Sequence, residues 1–401
     1  MLKLKSDTII LLLISIIPSF IYVIFKLPSL TGGFLIALAL SFVTILCVNR
    51  GSINLTNLIV IISILLSIIL LGVISPYGGA WRFVGSYVIL SLLLLSAAYT
   101  SNYLKKVSDH ELKNSLLKVS RVLLLMGGSS FFLKINILGY ESFSKSIFTF
   151  YEPSHFATVF GVILIPYLLM VEKYEKNLVI TLSVLLALYL PSMTLLIYLL
   201  VFFLINTKNL LNYFLFALVF FFIFYLIQVF NPELYAYFLS RVVLSGNSSN
   251  LSALVYIQGW DEAYKVIQDG HFFGLGFQMS GSNLPSETAE KIYGIAGIYK
   301  NRDGPFIASK LIVDFGMIGI GIVCAYLFFL SKLYINFKKS ISTKYKFAYG
   351  VLFGFSIEMF VRSNAYFTFG TFVIFTSIFL IVELRTFKIG VNKDSPPMQQ
   401  T

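Results

Sequence analysis

The segment 151–157, Tyr151-Glu152-Pro153-Ser154-His155-Phe156-Ala157, puts two titratable side chains, Glu152 and His155, at the start of a long apolar run. Pro153 suits the first turn of a helix, and Glu152 falls beside the positive end of that helix's dipole. One reading is a carboxylate cap. The other is a general base that takes a proton from a hydroxyl, with His155 about one turn further along. A second set is the arginines Arg82, Arg241, Arg302 and Arg362, each near an expected membrane interface or in the one long hydrophilic stretch. Arginine presents a planar fork matched to phosphate and diphosphate, although lipid headgroups satisfy the same chemistry.

Two further sets complete the candidates. Gly259-Trp260-Asp261-Glu262-Ala263 is followed by Asp269-Gly270-His271-Phe272-Phe273-Gly274-Leu275-Gly276-Phe277. Gly274 and Gly276 permit positive φ or close backbone approach. No strand, Gly-loop and helix unit surrounds them, so a nucleotide fingerprint is not expected. Asp314 and Glu358 are acids inside apolar runs, where ionisable groups mark function by default. Arg362 follows Glu358 by four residues, the spacing of an ion pair on one helix. No zinc spacing, nucleophile elbow or P-loop is present, and no metal or cofactor is expected.

The elements that position these residues follow from composition. Of 401 residues, 58% are hydrophobic and 12% charged, with a mean hydropathy of +0.87. A soluble domain has roughly 25% charged residues. A chain this poor in charge must turn most of its surface to lipid, so an all-α polytopic membrane protein is expected. The net charge of +12 sits mostly in short loops between apolar runs, the pattern of cytoplasmic loops rather than of a nucleic-acid surface. Cys47 and Cys324 lie inside apolar runs with no disulfide or metal spacing. The sequons at Asn54, Asn247 and Asn250 are weak signals. Lys3 and Lys5 precede an apolar stretch without a small-x-small cleavage site, which reads as an uncleaved signal anchor.

A helix needs about 20 apolar residues to span the hydrocarbon core. The spans expected are 7–25, 33–48, 57–74, 83–100, 119–133, 155–171, 178–190, 192–206, 211–230, 306–330, 345–362 and 366–384. The region 178–206 reads either as two spans or as one re-entrant element. The Lys and Arg bias of the short loops puts both termini in the cytoplasm and favours about twelve spans. The chain then divides into spans one to nine (1–230), a large extracytoplasmic loop (231–305), spans ten to twelve (306–384) and a cytoplasmic tail (385–401). Within the loop, 251–268 predicts an amphipathic surface helix. Its apolar face would carry Leu251, Leu254, Val255, Ala263, Tyr264 and Ile267, with Trp260 as interfacial anchor. A short helix is expected to begin near Pro285-Ser286, and 270–281 reads as a turn.

At these residues the chain resembles the Wzy-type polymerases of O-antigen and related surface polysaccharides, a family related to the O-antigen ligases. The likeness rests on the layout and on three local matches. They are the EPS-containing segment 151–157, the pattern from Arg241 through Trp260 to 274–277, and Asp314-Phe315-Gly316-Met317-Ile318-Gly319. The ligases typically carry a His ahead of a G-x-x-G-like element. Here Pro305-Phe306 stand in that place, which favours polymerase.

The resemblance implies an enzyme of the bacterial inner membrane. It would transfer a growing glycan from undecaprenyl diphosphate to a sugar hydroxyl on an incoming lipid-linked repeat unit. Arg241 and Arg302 would clamp the diphosphate with help from Arg82 or Arg362, and Glu152 would be the base, with His155 or His271 as alternates. Trp260, Gly274 and Gly276 would line the substrate. Its partners would be donor and acceptor lipid-linked glycans, the bilayer, a chain-length regulator and a flippase. The rival readings are an O-antigen ligase, or a flippase or other secondary transporter. Against transport stand the absence of matching interrupted spans in the two halves and the 75-residue loop.

Overall fold

The structure is a computed structural model that describes residues 6–48, 53–75, 81–132, 139–140, 147–207, 209–244, 248, 250–282, 285–297, 305–337, 342–363 and 366–393. Among these residues it is all-helical. The helices are α1 (Ser6–Ile24), α2 (Leu30–Val48), α3 (Leu55–Ile74), α4 (Trp81–Lys106), α5 (Asp109–Ser129), α6 (Pro153–Met170), α7 (Lys173–Tyr189) and α8 (Met193–Asn206). They continue with α9 (Leu210–Phe230), α10 (Pro232–Val242), α11 (Leu251–Gln268), α12 (Glu287–Ala296), α13 (Ile307–Phe315), α14 (Met317–Phe337), α15 (Thr343–Phe360) and α16 (Phe369–Lys393).

Among the described residues seven helices are long and apolar enough to cross a membrane: α1, α2, α3, α4, α6, α9 and α14. Each expected span overlaps a helix; of the others, α7 and α8 are shorter, α5 and α15 carry more polar residues, and α16 covers the last expected span. The region 178–206 resolves into two helices, α7 and α8, broken at 190–192. Caps mark the turns. Ser108 and Glu111 form a reciprocal capping box at α5, Asn54 caps α3 and Asn250 caps α11. Two of the sequon asparagines are thus N-caps, while Asn247 lies outside the described residues.

The core is built on α6 and α15, which are buried along most of their length. They cross closely because Gly350 has no side chain: a Cβ there would lie 2.6 Å from Pro166 Cα. The periphery is apolar and exposed. Phe214, Phe221, Phe222 and Tyr225 of α9 all face outward, as a lipid-facing helix requires. Cys47 and Cys324 are also exposed and unbridged.

Two expectations are corrected. The span expected at 306–330 is two helices, α13 and α14, parted at Gly316 (φ 57°, ψ −129°), a conformation open to glycine and strained for other residues. Helix α11 forms over the expected range, but its buried face is Ala253, Leu254, Gln258, Gly259, Glu262, Ala263 and Val266, while Tyr264 is exposed. The reason is that α11 packs against α13 and α12, so burial follows a protein contact that hydrophobicity alone does not reveal. Helix α12 begins where expected, beside Pro285-Ser286: Ser286 is the N-cap, its hydroxyl accepting from Ala289 N at 3.2 Å. The 270–281 turn is observed, with Gly270, Gly274, Gly276 and Gly281 all at positive φ.

Candidate functional site

The N-terminus of α6 and the C-terminal end of α15 meet at one place, and four of the chemistry-bearing residues converge there. Pro153 occupies the first turn of α6 and Glu152 its N-cap position, yet the Glu152 carboxylate makes no capping bond. It reaches sideways instead. Ser154 Oγ donates to Glu152 Oε2 at 2.9 Å, and Arg362 Nη2 donates to the same oxygen at 3.4 Å and to Ser154 Oγ at 3.3 Å. The capping alternative for Glu152 is thereby replaced by an ion pair to Arg362, just past the end of α15.

Arg362 is free to make this pair because α15 ends at Phe360. The chain then turns, with Arg362 N donating to Ile357 O and Ser363 N to Pro305 O, both at 2.9 Å. Past the helix end the i,i+4 register with Glu358 is lost, so the expected Glu358–Arg362 pair does not form. Glu358 is buried and accepts from Thr368 Oγ1 at 2.7 Å.

His155, one turn into α6, is buried and its Nε2 lies 2.8 Å from Tyr151 OH. Arg241 comes in from the last turn of α10. Its guanidinium carbon is 4.3 Å from the Tyr237 ring centre, and its Nε is buried without a protein acceptor. Burial lowers the Arg241 pKa from its ordinary value. Tyr237 counteracts this, the positive Arg362 lowers it further, and Glu152 favours the charge. Arg241 thus lies within electrostatic reach of both members of the ion pair. Two guanidiniums, one carboxylate and the positive end of α6 give a site with excess positive potential, suited to an anion. The Glu152 and Arg362 side chains remain 46% and 32% exposed, so the pair is open to a ligand.

The other expected site residues belong elsewhere. Gly274 and Gly276 dock the 270–281 turn onto the α13–α14 break: Leu275 N donates to Val313 O, Gly276 N to Asp314 O and Met317 N to Phe272 O, at 2.8–2.9 Å. A Cβ on Gly274 would overlap the Asp314 carbonyl, and one on Gly316 the Phe272 carbonyl oxygen. These glycines serve close backbone approach. Asp314 is fully buried and accepts from Gln278 N (3.0 Å), Ser280 N (3.2 Å) and Ser280 Oγ (2.7 Å). Arg82 Nη1 donates to Ser280 O at 3.4 Å, so it braces the same turn. His271 ends α11 through its backbone, its N–H donating to Val266 O at 3.1 Å. The Trp260 ring lies 5.0 Å from that of Phe306, and Pro305, which holds Ser363, adjoins this cluster. Arg302 lies outside the described residues.

Sequence reasoning passed over Ser154, Tyr237 and Lys310. Ser154 stands in the quoted motif, and Tyr237 precedes Arg241 by one helical turn. Lys310 is buried in α13, its Nζ 3.3 Å from Ser280 Oγ and 5.3 Å from the Tyr366 ring centre. A lysine four residues before Asp314 in an apolar run was its signal. Among the described residues no group of three His, Cys, Asp or Glu side chains is placed to share a metal ion. Comparison with protein families, with characterised proteins and with solved structures finds no match to this chain.

Proposed function

We propose that the chain is a glycosyltransferase of the bacterial inner membrane. It polymerises undecaprenyl-diphosphate-linked oligosaccharide repeat units into O-antigen or a related surface polysaccharide. The observation that carries this reading is the Arg362–Glu152 ion pair at the N-terminus of α6, with Arg241 within electrostatic reach of both. In it, about twelve helices span the bilayer with both termini cytoplasmic, and α10 to α12 lie on the outer side. The membrane-embedded character of the chain rests on the seven apolar helices.

The roles follow from charge and reach. Glu152 takes the proton of the acceptor hydroxyl as the oxygen attacks the anomeric carbon of the donor. The bond from that carbon to the diphosphate breaks, and its electron pair leaves on the diphosphate. Arg241 and Arg362 stabilise the departing anion, the kind of interaction that strengthens as charge develops. Arg241 is preorganised by the Tyr237 ring, and its buried Nε has no acceptor among the described residues. The donor's own diphosphate bond drives the transfer, so the reaction needs no nucleotide.

The test is the lipopolysaccharide pattern of cells whose only copy carries Arg241→Ala. The expected result is loss of long-chain glycan with single repeat units still attached to the lipid A core. Total loss of surface glycan with trapped lipid-linked units would instead identify a flippase. Long chains retained on the carrier lipid would identify a ligase.

A further inference from the structure

Beside the Glu152–Arg362 site the bundle holds a partly open cavity of about 30 Å³, room for about two water molecules. It lies between α1, α2, the N-terminal turns of α6, Glu358 of α15 and the segment 367–370, and its polar lining is Ser15, Ser19, His155, Thr158, Glu358 and Thr368. His155 belongs at once to this lining and, through Tyr151, to the outer site.

We propose that this cavity is a hydrated proton site. Glu358 holds an exchangeable proton there and passes it, through cavity water and His155, to and from the outer site.

Four observations carry this. Glu358 is buried, and the other described residues lining the cavity from α1, α2, α6 and 367–370 bring no charged or titratable group except His155. The phenols that face Glu358 from α8 and α14, Tyr198 and Tyr326, bring no positive charge. An uncompensated carboxylate at this depth is costly, so the site needs a proton or a cation. Thr368 Oγ1 donates to Glu358 Oε2 and is itself 2.9 Å from Thr371 Oγ1, which orients the carboxyl group. The Ser19 hydroxyl is buried with no protein partner and lines the same hollow, which calls for water. Pro18, inside α1, has no N–H for the Ile14 carbonyl, and Ile14 and Pro18 both face the cavity. The remaining lining is largely apolar, including Phe34, Phe150, Phe367 and Phe369. It offers too few oxygens for a desolvated metal cation, whereas a proton on a carboxyl group needs only one acceptor.

The transfer is balanced. The Glu358 carboxylic O–H breaks as a proton is bonded to water, which releases one of its own protons to His155. The reverse sequence restores the acid. No oxidant or co-reactant is involved. Joined to the glycosyltransferase reading, on which this part rests, the site would receive the proton that the acceptor hydroxyl sheds.

Infrared difference spectroscopy on the purified full-length chain in lipid vesicles, stepped between two pH values, tests the site directly. The expected result is a carboxylic-acid carbonyl band that shifts in heavy water, is lost in Glu358→Gln and moves in Thr368→Val, which keeps the acid and removes its donor. A band that survives Glu358→Gln overturns the proposal. So does a carboxylate signal that responds to sodium at fixed pH, since a cation would then be the occupant. If Glu358→Gln does not fold, an unmoved band in Thr368→Val has the same force. The lipopolysaccharide pattern of Arg241→Ala is read independently: a flippase pattern beside a positive infrared result overturns the enzyme reading and leaves the proton site standing.

Discussion

Arg362 Nη2 lies 3.4 Å from Glu152 Oε2, bringing together residues 210 apart in sequence at the adjoining ends of two largely buried helices, α6 and α15. The pair is partly exposed, so its own contribution to stability is small, on the order of 0–1 kcal/mol. Glu152→Gln and Arg362→Ala should therefore leave the thermal unfolding of detergent-purified protein nearly unchanged. On the proposed chemistry each should lower polymerisation by at least about 100-fold, the scale on which removing one charge-stabilising group acts. Chain-length distributions on gels, beside unfolding curves, check both halves. Near-normal chains from Glu152→Gln would remove that residue from the base role.

A different outcome is expected at the α13–α14 break. Gly316 has φ 57° and faces the Phe272 carbonyl, whereas Gly270 has φ 82° and open space around its Cβ position. Gly270→Ala should cost about 1–2 kcal/mol, the backbone penalty alone. Gly316→Ala adds a collision with main chain that cannot move aside, so it should reduce folded yield far more. Size-exclusion profiles of fluorescently tagged variants give the ranking, and equal yields would show that the turn does not pack on the break.

Asp314 should act through structure. It is the acceptor for two backbone N–H groups and the Ser280 hydroxyl, with Lys310 bonded to that same hydroxyl. Asp314→Ala strands these donors in a buried place, where losing one partner of a charged network costs about 3–5 kcal/mol. Lower thermal stability of the purified protein is the expected signature. A variant of full stability that lacks polymerisation would mean that Asp314 serves substrate instead.

Much of the frame was legible because spanning helices announce themselves as long apolar runs, and because α11 and α12 carry their boundaries in Asn250 and Ser286. The site was half legible. Glu152, His155, Arg241 and Arg362 stood out as polar groups at ends of apolar runs, but nothing local said that Arg362 would choose Glu152 over Glu358. That choice depends on α15 stopping at Phe360 and on Pro305 holding Ser363. Gly274 and Gly276 have the composition of a binding surface and shape a turn docked on the α13–α14 break, and Arg82 of α4 braces that turn. A glycine required by a neighbouring backbone and one required by a ligand look alike in sequence.

The side of the membrane on which α11 lies can be read with single cysteines. Tyr264 of α11 is 70% exposed and Tyr174 of α7 is 85% exposed. The native thiols Cys47 and Cys324 are also exposed, so both are first replaced with Ala. On the proposed topology, drawn from the charge bias of the short loops, 173–176 lie in the cytoplasm and 231–305 outside. A membrane-impermeant maleimide should then label Tyr264→Cys in intact spheroplasts and Tyr174→Cys only after permeabilisation. Because the proposed donor and acceptor meet at the outer face, labelling of Tyr264→Cys only after permeabilisation would put α11 on the wrong side for this chemistry. The Arg241–Glu152–Arg362 cluster would then be open to the cytosol, and the polymerase reading would fall whatever the gel showed.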